Sequence, residues 1–335
     1  MKKVFLLALS ILLLSCFALY AAGQKEEEGA GMKVGLVTDV GKVDDKTFNQ
    51  FAYEGIMRAA EEFGLEANYI ETQQPTDYEK NIRTFADEGY DMIVTVGFML
   101  TDATVDMGKQ YPDIMFAGVD QFYGEPQPNT LGLLFSEDQS GFVAGALAAM
   151  MNKTGIIGFV GGMEIPPVIK FRRGYENGAK YIDPDIKILG VYIDSFTAPD
   201  RGKAAAEAQI ADKADVIFGA GGPTGSGGIV AAMEKDVWGI GVDQDEYYTT
   251  MGGGPAPYLL SSAMKRVDNA VYSAIKSFVE GTFEGGHWVG DASNNGIGYA
   301  PFHDTESKVP GSVKAKLDEI LQKLGDGSLE TGVTL

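Results

Sequence analysis

The chain has 335 residues, 45% of them hydrophobic and 22% charged, which is enough for two domains of ordinary size, each with its own core. Its 47 acidic residues against 27 basic ones leave a net charge of −20. A nucleic-acid backbone or an anionic membrane surface repels such a chain, so nucleic acid is not an expected partner and the acidity reads as solubility. The single cysteine, Cys16, lies near the start, which leaves the remainder with no disulfide and no thiolate metal site. His287 and His303 belong to no metal-ligand pattern such as H-x-x-x-H; both are expected as surface or packing residues, and neither a metal nor a cofactor is expected.

Lys2 and Lys3 precede an apolar run, Val4 to Leu14, that continues with small breaks to Ala22. A short basic stretch before an apolar core is the make-up of a secretory signal, assigned here to residues 1–22. The run also has about the length of a membrane span, so an uncleaved anchor is the competing reading. Cleavage has two candidates. Leu13-Leu14-Ser15-Cys16 resembles a bacterial lipobox with Cys16 as the lipidated residue, although the second position usually holds a smaller residue than Leu14; ordinary cleavage near Ala21-Ala22-Gly23 is the other. The protein is therefore expected to be exported, periplasmic or at the cell surface, and lipid-anchored to a bacterial membrane. Residues 23–31, including Gln24-Lys25-Glu26-Glu27-Glu28-Gly29, carry too little apolar content to fold and read as a flexible tether to a domain that starts at Met32.

From there short apolar runs alternate with amphipathic ones. Val34 to Val37 reads as a strand. Phe48 to Phe63 reads as a helix, because Phe48, Phe51, Ala52, Gly55, Ile56, Ala59 and Phe63 recur at helical spacing. Ala67 to Ile70 is a strand, followed by a helix from Asp77 that Thr76 and Glu79 would open as a capping box. Met92 to Val96 is a strand, Asp102 to Gln110 a helix, and Ile114 to Val119 a strand. The order then recurs: strand Ile156 to Val160, helix Phe171 to Lys180, strand Ile186 to Tyr192, helix Asp200 to Ala211, strand Val216 to Gly219, helix Ile229 to Glu234, strand Val237 to Val242. Strands separated by helices imply a parallel sheet flanked by helices. Gly118-Val119-Asp120-Gln121 returns as Gly241-Val242-Asp243-Gln244, Asp91-Met92-Ile93 as Asp215-Val216-Ile217, and Tyr53-Glu54 as Tyr175-Glu176, at offsets of 123, 124 and 122 residues. Three matches near one offset, each in the same structural context, point to two similar α/β lobes.

Ligands of open parallel sheets bind beyond the carboxyl ends of the strands. Asp120 and Asp243 each stand just past such an end, so lobes that face each other would point both carboxylates into one cleft; a turn-capping role is the competing reading. The first strand ends at Thr38-Asp39, ahead of Phe48 and Asn49 at the start of a helix, where Phe48 also reads as the first core position of that helix. Phe196 stands in the polar turn Asp194 to Thr197 with no obvious core to fill, and an aromatic there can offer its face to a ligand ring. The segment Gly219 to Gly228 misses G-x-G-x-x-G at Thr224 and has no Gly-Lys-Ser/Thr ending, so it reads as a strand-to-helix loop whose backbone approaches a ligand closely. Lys265 follows the apolar run Tyr258 to Ala263; spacing alone leaves it between a cleft residue and helical surface. Gly285 to Tyr299, rich in Gly and Asn, has no pattern of its own.

Val37-Thr38-Asp39, Asp44-Asp45-Lys46-Thr47-Phe48-Asn49-Gln50, the two Gly-Val-Asp motifs, Phe171-Arg172-Arg173-Gly174-Tyr175, the Gly219 to Gly228 segment and Ser262-Ala263-Met264-Lys265 together resemble the basic membrane protein family of substrate-binding lipoproteins, in particular its purine nucleoside receptors. The resemblance covers nearly the whole chain. It implies a two-lobed type I periplasmic-binding-protein fold, with residues 32–135 plus 262–288 in one lobe and 136–261 plus 289–335 in the other, and a last crossing between lobes within Gly285 to Tyr299. It further implies that Phe48 and Phe196 sandwich a base, that Asp39, Asn49 and Asp120 hydrogen-bond its edge, and that Asp243, Lys265 and Gly222 hold the ribose. An ABC transporter permease is the implied partner, a monomer the implied state, and binding without catalysis the implied activity. Carboxylates accept hydrogen bonds from ring N–H and sugar hydroxyls, and the inventory lacks the arginine cluster that an anionic nucleotide needs. A monosaccharide receptor of the same architecture is the alternative. A nucleoside hydrolase is a more distant one, because there is neither Gly-x-Ser-x-Gly nor a histidine base near the carboxylates. A transcription regulator of this fold would need a helix-turn-helix that the chain lacks.

Overall fold

The computed structural model describes residues 31–334. The signal segment, Cys16 and most of the tether lie outside them. The chain first runs through β1 (Lys33–Thr38), α1 (Phe48–Phe63), β2 (Glu66–Ile70), α2 (Tyr78–Asp87), β3 (Met92–Val96), α3 (Thr101–Gln110), β4 (Met115–Val119) and β5 (Thr130–Phe135). It then enters α4 (Glu137–Met151), β6 (Ile156–Gly161), α5 (Pro166–Ile182), β7 (Lys187–Tyr192), α6 (Pro199–Ala211), β8 (Val216–Ala220), α7 (Gly222–Glu234), β9 (Trp238–Asp243) and β10 (Leu259–Lys265). It closes with α8 (Val267–Val279), β11 (Gly286–Gly290), β12 (Ile297–Tyr299) and α9 (Gly311–Gly325).

These strands form two six-stranded sheets of matching order, β11-β5-β4-β3-β1-β2 and β12-β10-β9-β8-β6-β7. All pairings are parallel except β10 with β12. The inner strands are buried along most of their length, the edge strands β2 and β7 are not, and helices cover both faces, the three-layer arrangement that a parallel sheet requires. In the first lobe, α8 lays Val267, Ala270, Val271, Ala274 and Ile275 into the core that holds Phe51, Ala52 and Ile56 of α1. In the second, α4 and α5 touch backbone to backbone: a methyl group at Gly145 would stand 2.0 Å from the Tyr175 carbonyl oxygen, and one at Gly178 would stand 2.0 Å from that of Phe142. Glycine is what permits this approach.

The chain passes between the lobes three times: after β5, after β10, and between β11 and β12. The last passage falls within Gly285 to Tyr299. Pairing puts β10 in the second sheet as far as Lys265 and β11 in the first as far as Gly290, so the boundaries lie a few residues beyond 261 and 288. Two local expectations change. Thr76 and Glu79 make no capping box, because Pro75 opens a 3-10 turn, Pro75–Asp77, that runs straight into α2 and puts Thr76 inside it. The glycine-rich segment is mostly helix: α7 begins at Gly222 rather than Ile229. A methyl at Gly227 would stand 2.1 Å from the Pro199 carbonyl oxygen, so this glycine brings α7 against α6.

Candidate functional site

The carboxyl ends of both sheets face one cavity of about 570 Å³, within the ordinary range for a small-molecule site. All eight candidate residues line it: Asp39, Phe48, Asn49 and Asp120 from the first lobe, and Phe196, Gly222, Asp243 and Lys265 from the second. The site is therefore assembled only where the lobes meet.

The two Gly-Val-Asp segments carry the design. Asp120 and Asp243 both adopt a left-handed backbone, with φ of 63° and 64°, so each chain turns sharply off its strand and swings the carboxylate over the sheet end. Asp39 reaches the same region from β1. Its Oδ1 accepts the Val40 N–H at 2.5 Å, and its Oδ2 occupies space that a side chain at position 97 would fill, 1.9 Å from where that methyl would be; Gly97, at φ 119°, is the residue that leaves the room.

Three buried carboxylates in one cleft repel their own charges. Burial pushes the Asp39 carboxyl up to about 7, with the Asp120 charge adding to it. Asp243 rises to about 8, chiefly by burial, while the Lys265 ammonium works the other way. Asp120 rises less, to about 6, because burial is opposed by Lys265, whose Nζ stands 2.7 Å from its Oδ2. Its Oδ1, like Oδ1 of Asn49, is buried without a hydrogen-bond partner in the protein. Both are acceptors on residues that line the cavity, and a buried acceptor gains most from a ligand donor.

Lys265 is a strand residue at the end of β10 with a side chain 1% exposed, which excludes helical surface. Its ammonium meets Asp120 of the other lobe and, at 2.9 Å, Glu137 at the start of α4. Burial alone would lower it, but Asp120, Glu137 and Asp243 more than offset that and hold it above the ordinary lysine range. Lys170 closes the chain, donating to Glu137 and to the Phe135 carbonyl, each at 3.1 Å. The ammonium also stands 5.1 Å from the Phe48 ring centroid, within reach of a cation–π contact.

The aromatic walls come one from each lobe. Phe48 opens α1. Phe196 rests on bare backbone: methyl groups at Gly162 and Gly221 would lie 2.4 Å and 3.3 Å from its ring. Gly221 and Gly222, at φ 116° and 61°, line the cleft together with Pro223, Ser226 and Gly227 of the same segment, so the expected close approach holds there. Ile165, Pro167, Val168 and Phe171 supply an apolar flank that the sequence reading did not foresee.

Three supporting carboxylates were also missed. Asp45 caps α1, accepting the N–H groups of Thr47, Asn49 and Gln50 and the Asn49 amide, which fixes Phe48 and Asn49. An acidic residue three positions ahead of a helix was the available signal. Glu246 accepts the Val242 N–H and the hydroxyls of Ser226 and Thr250, tying the Asp243 turn to α7; burial pushes it up to about 7. Glu137, the third, gave no local signal. His287 stacks on Phe122 and accepts the Tyr123 N–H, and His303 stacks on Tyr247 and pairs with Asp245, so both are packing residues outside the cleft. Among the described residues no group of three or more His, Cys, Asp or Glu is placed to hold a metal ion.

Two similar lobes with three crossings, enclosing a ligand-sized cavity at their strand ends, define a solute-binding protein of the type I periplasmic fold. A crystal structure of ABC transporter solute-binding protein from Aeropyrum pernix K1 superimposes with a TM-score of 0.82 at 28% identity, covering 89% of this chain and 92% of that one. Residues 32–323 match the family described as ABC transporter substrate-binding protein, PnrA-like, and the chain belongs to it. Among its relatives, the ABC transporter nucleoside-binding protein BmpA of Lactococcus lactis is 32% identical, with 95% of each chain covered. Basic membrane protein A of Borreliella burgdorferi is 34% identical over 89% of this chain and 86% of that one. The family is one of transporter receptors rather than enzymes, and among the described residues no helix is long and apolar enough to cross a membrane.

Proposed function

We propose that the cleft captures a nucleoside, with a purine base, and hands it unchanged to an ABC importer. The observation that carries this reading is the pairing of an aromatic face from each lobe with carboxylate acceptors around one cavity. In this reading the base lies between Phe48 and Phe196, with Asp39, Asn49 and Asp120 along its edge. The ribose lies against Asp243, Lys265 and the Gly222 backbone. Vicinal hydroxyls suit a carboxyl acceptor beside a charged donor. The likeness to a relative named as nucleoside-binding supports the same ligand class. The chain acts as a monomer, exported and held at the membrane by a lipid on Cys16.

The test is a calorimetric titration with inosine, adenosine and guanosine, their free bases, and ribose. Nucleosides are expected to bind more tightly than either fragment. Tighter binding of ribose than of any nucleoside would move the protein to the monosaccharide receptors. The anchor is tested by Cys16→Ala, which is expected to release the exported protein from the membrane fraction; wild type already free of the membrane would place cleavage near Gly23.

A further inference from the structure

The Gly-Val-Asp-Gln repeat is equivalent in both lobes as far as its aspartates, but its glutamines diverge. Gln121 stays at home. Its amide nitrogen donates to the Thr95 carbonyl, the Thr95 hydroxyl and the Gly97 carbonyl, and its Oε1 accepts the Tyr123 hydroxyl, all within the first lobe. Gln244 crosses over. Its Nε2 donates at 2.8 Å to the carbonyl oxygen of Thr47, the residue before α1 in the opposite lobe. Gln244 is 4% exposed, Thr47 is fully buried, and neither lines the ligand cavity.

The other side-chain hydrogen bonds that join the lobes use residues beside a crossing. Lys265, which meets Asp120, ends β10; Phe135, whose carbonyl takes Lys170, ends β5. Such contacts sit near the axis about which two lobes turn and move little when they open. Gln244 and Thr47 are bounded by no crossing, so opening separates them and exposes both to water.

We infer that Gln244 is a closure latch: its hydrogen bond to the Thr47 carbonyl forms only when the lobes shut, so it stabilises the closed state without touching the ligand. Because Thr47 adjoins Phe48 and Asn49, the latch also seats the start of α1 against the second lobe. It rests on the cleft being the binding site and not on which solute fills it. A ligand shifts an opening equilibrium by its differential contacts, and a protein–protein bond made only on closure adds the same increment for every ligand.

The test is stopped-flow dissociation and equilibrium titration of wild type, Gln244→Met and Gln244→Glu with inosine, adenosine, guanosine and ribose. Gln244→Met keeps the length and removes the donor. It is expected to raise the dissociation constant about threefold to tenfold, by one common factor for every solute that wild type binds, through faster release. Gln244→Glu sets an oxygen against the carbonyl at pH 8 and is expected to bind more weakly still. Relative to wild type it is expected to recover at pH 5, where a protonated carboxyl donates again. Recovery with pH separates a latch from a variant that merely folds badly. Binding of ribose in place of the nucleosides would defeat the ligand assignment and leave the variant-to-wild-type ratio readable. A ratio near one in both variants, or a ratio that differs from ligand to ligand, overturns the latch.

Discussion

The two halves of the cleft are built on one backbone plan and used differently. Asp120 and Asp243 share a left-handed turn at the end of the fourth strand of their lobes, yet Asp120 is locked onto a lysine ammonium while Asp243 makes no hydrogen bond of that kind. Burial raises both, but the paired carboxyl stops near 6 and the other reaches about 8. Duplication of the turn thus provides two placed carboxylates, and Lys265 at the end of β10, hydrogen-bonded to only one of them, makes them chemically distinct. Symmetry explains where the groups stand; its breaking explains what each can do.

The severest way to break this comparison is to remove the lysine. Lys265→Met strands the Asp120 carboxylate in a buried place and leaves Glu137 with Lys170 alone, and loss of one partner from a buried ion pair costs about 3–5 kcal/mol. Thermal unfolding is expected to fall by roughly 4–8 °C for a chain of this size. A shift within a degree or two would mean that the buried pair contributes little. Next come the aspartates themselves. Asp243→Ala is expected to weaken nucleosides by about 1.5–3 kcal/mol in calorimetry while sparing free bases, whereas Asp120→Asn, which keeps the shape and adds a donor, changes the order among purines. Equal loss for nucleoside and free base with Asp243→Ala would remove the sugar from the second lobe.

The aromatics sharpen the comparison from the opposite side, because here the lobes should behave alike. Phe196→Ala and Phe48→Ala each remove a stacking face, worth ~1–3 kcal/mol per base, so titrations are expected to show tenfold to hundredfold weakening for all base-bearing ligands. The smallest effect is that of pH on the empty protein. The folded state holds the protons of Asp39, Asp120 and Asp243 more tightly than an unfolded chain, whose aspartates titrate near 3.8. Stability is therefore lost progressively as pH rises from about 4 to about 8, each of these carboxyls ionising in a buried place. The melting temperature is expected to be lower at pH 8 than at pH 6, and Asp243→Asn to flatten that slope. An unchanged slope in the variant would acquit Asp243.

Much of this was legible beforehand because repetition is visible in sequence. Alternating strands and helices, and three matches near one offset, gave both lobes and put Asp120 and Asp243 at equivalent strand ends, while the full set of eight came from the resemblance to the basic membrane protein family. The elements left unread were those with no period to read. Helix α4 is buried almost all round, so its apolar residues mark no stripe. Strand β10 and helix α8 belong to different lobes, and nothing local says that the chain changes sheet between Lys265 and Val267. Glu137 acts through Lys170 and Lys265, far along the chain, whereas Asp45 acts on the next turn and could have been found from its spacing. The glycine-rich segment misled for a related reason: glycine signals close approach, but not whether a ligand or another helix approaches.

The three crossings carry a consequence for how the protein is made. The first lobe is not finished when its own strands β1 to β5 have been synthesised, since the last strand of its sheet and the α8 side of its core arrive only after the whole parallel sheet of the second lobe. A chain delivered across a membrane from its N-terminus therefore emerges with one half waiting, its α1 face bare, until residues 267–290 follow. Truncation after Lys265 would remove nothing from the cavity wall and yet leave that half without its closing layer, so the order of export is written into the topology.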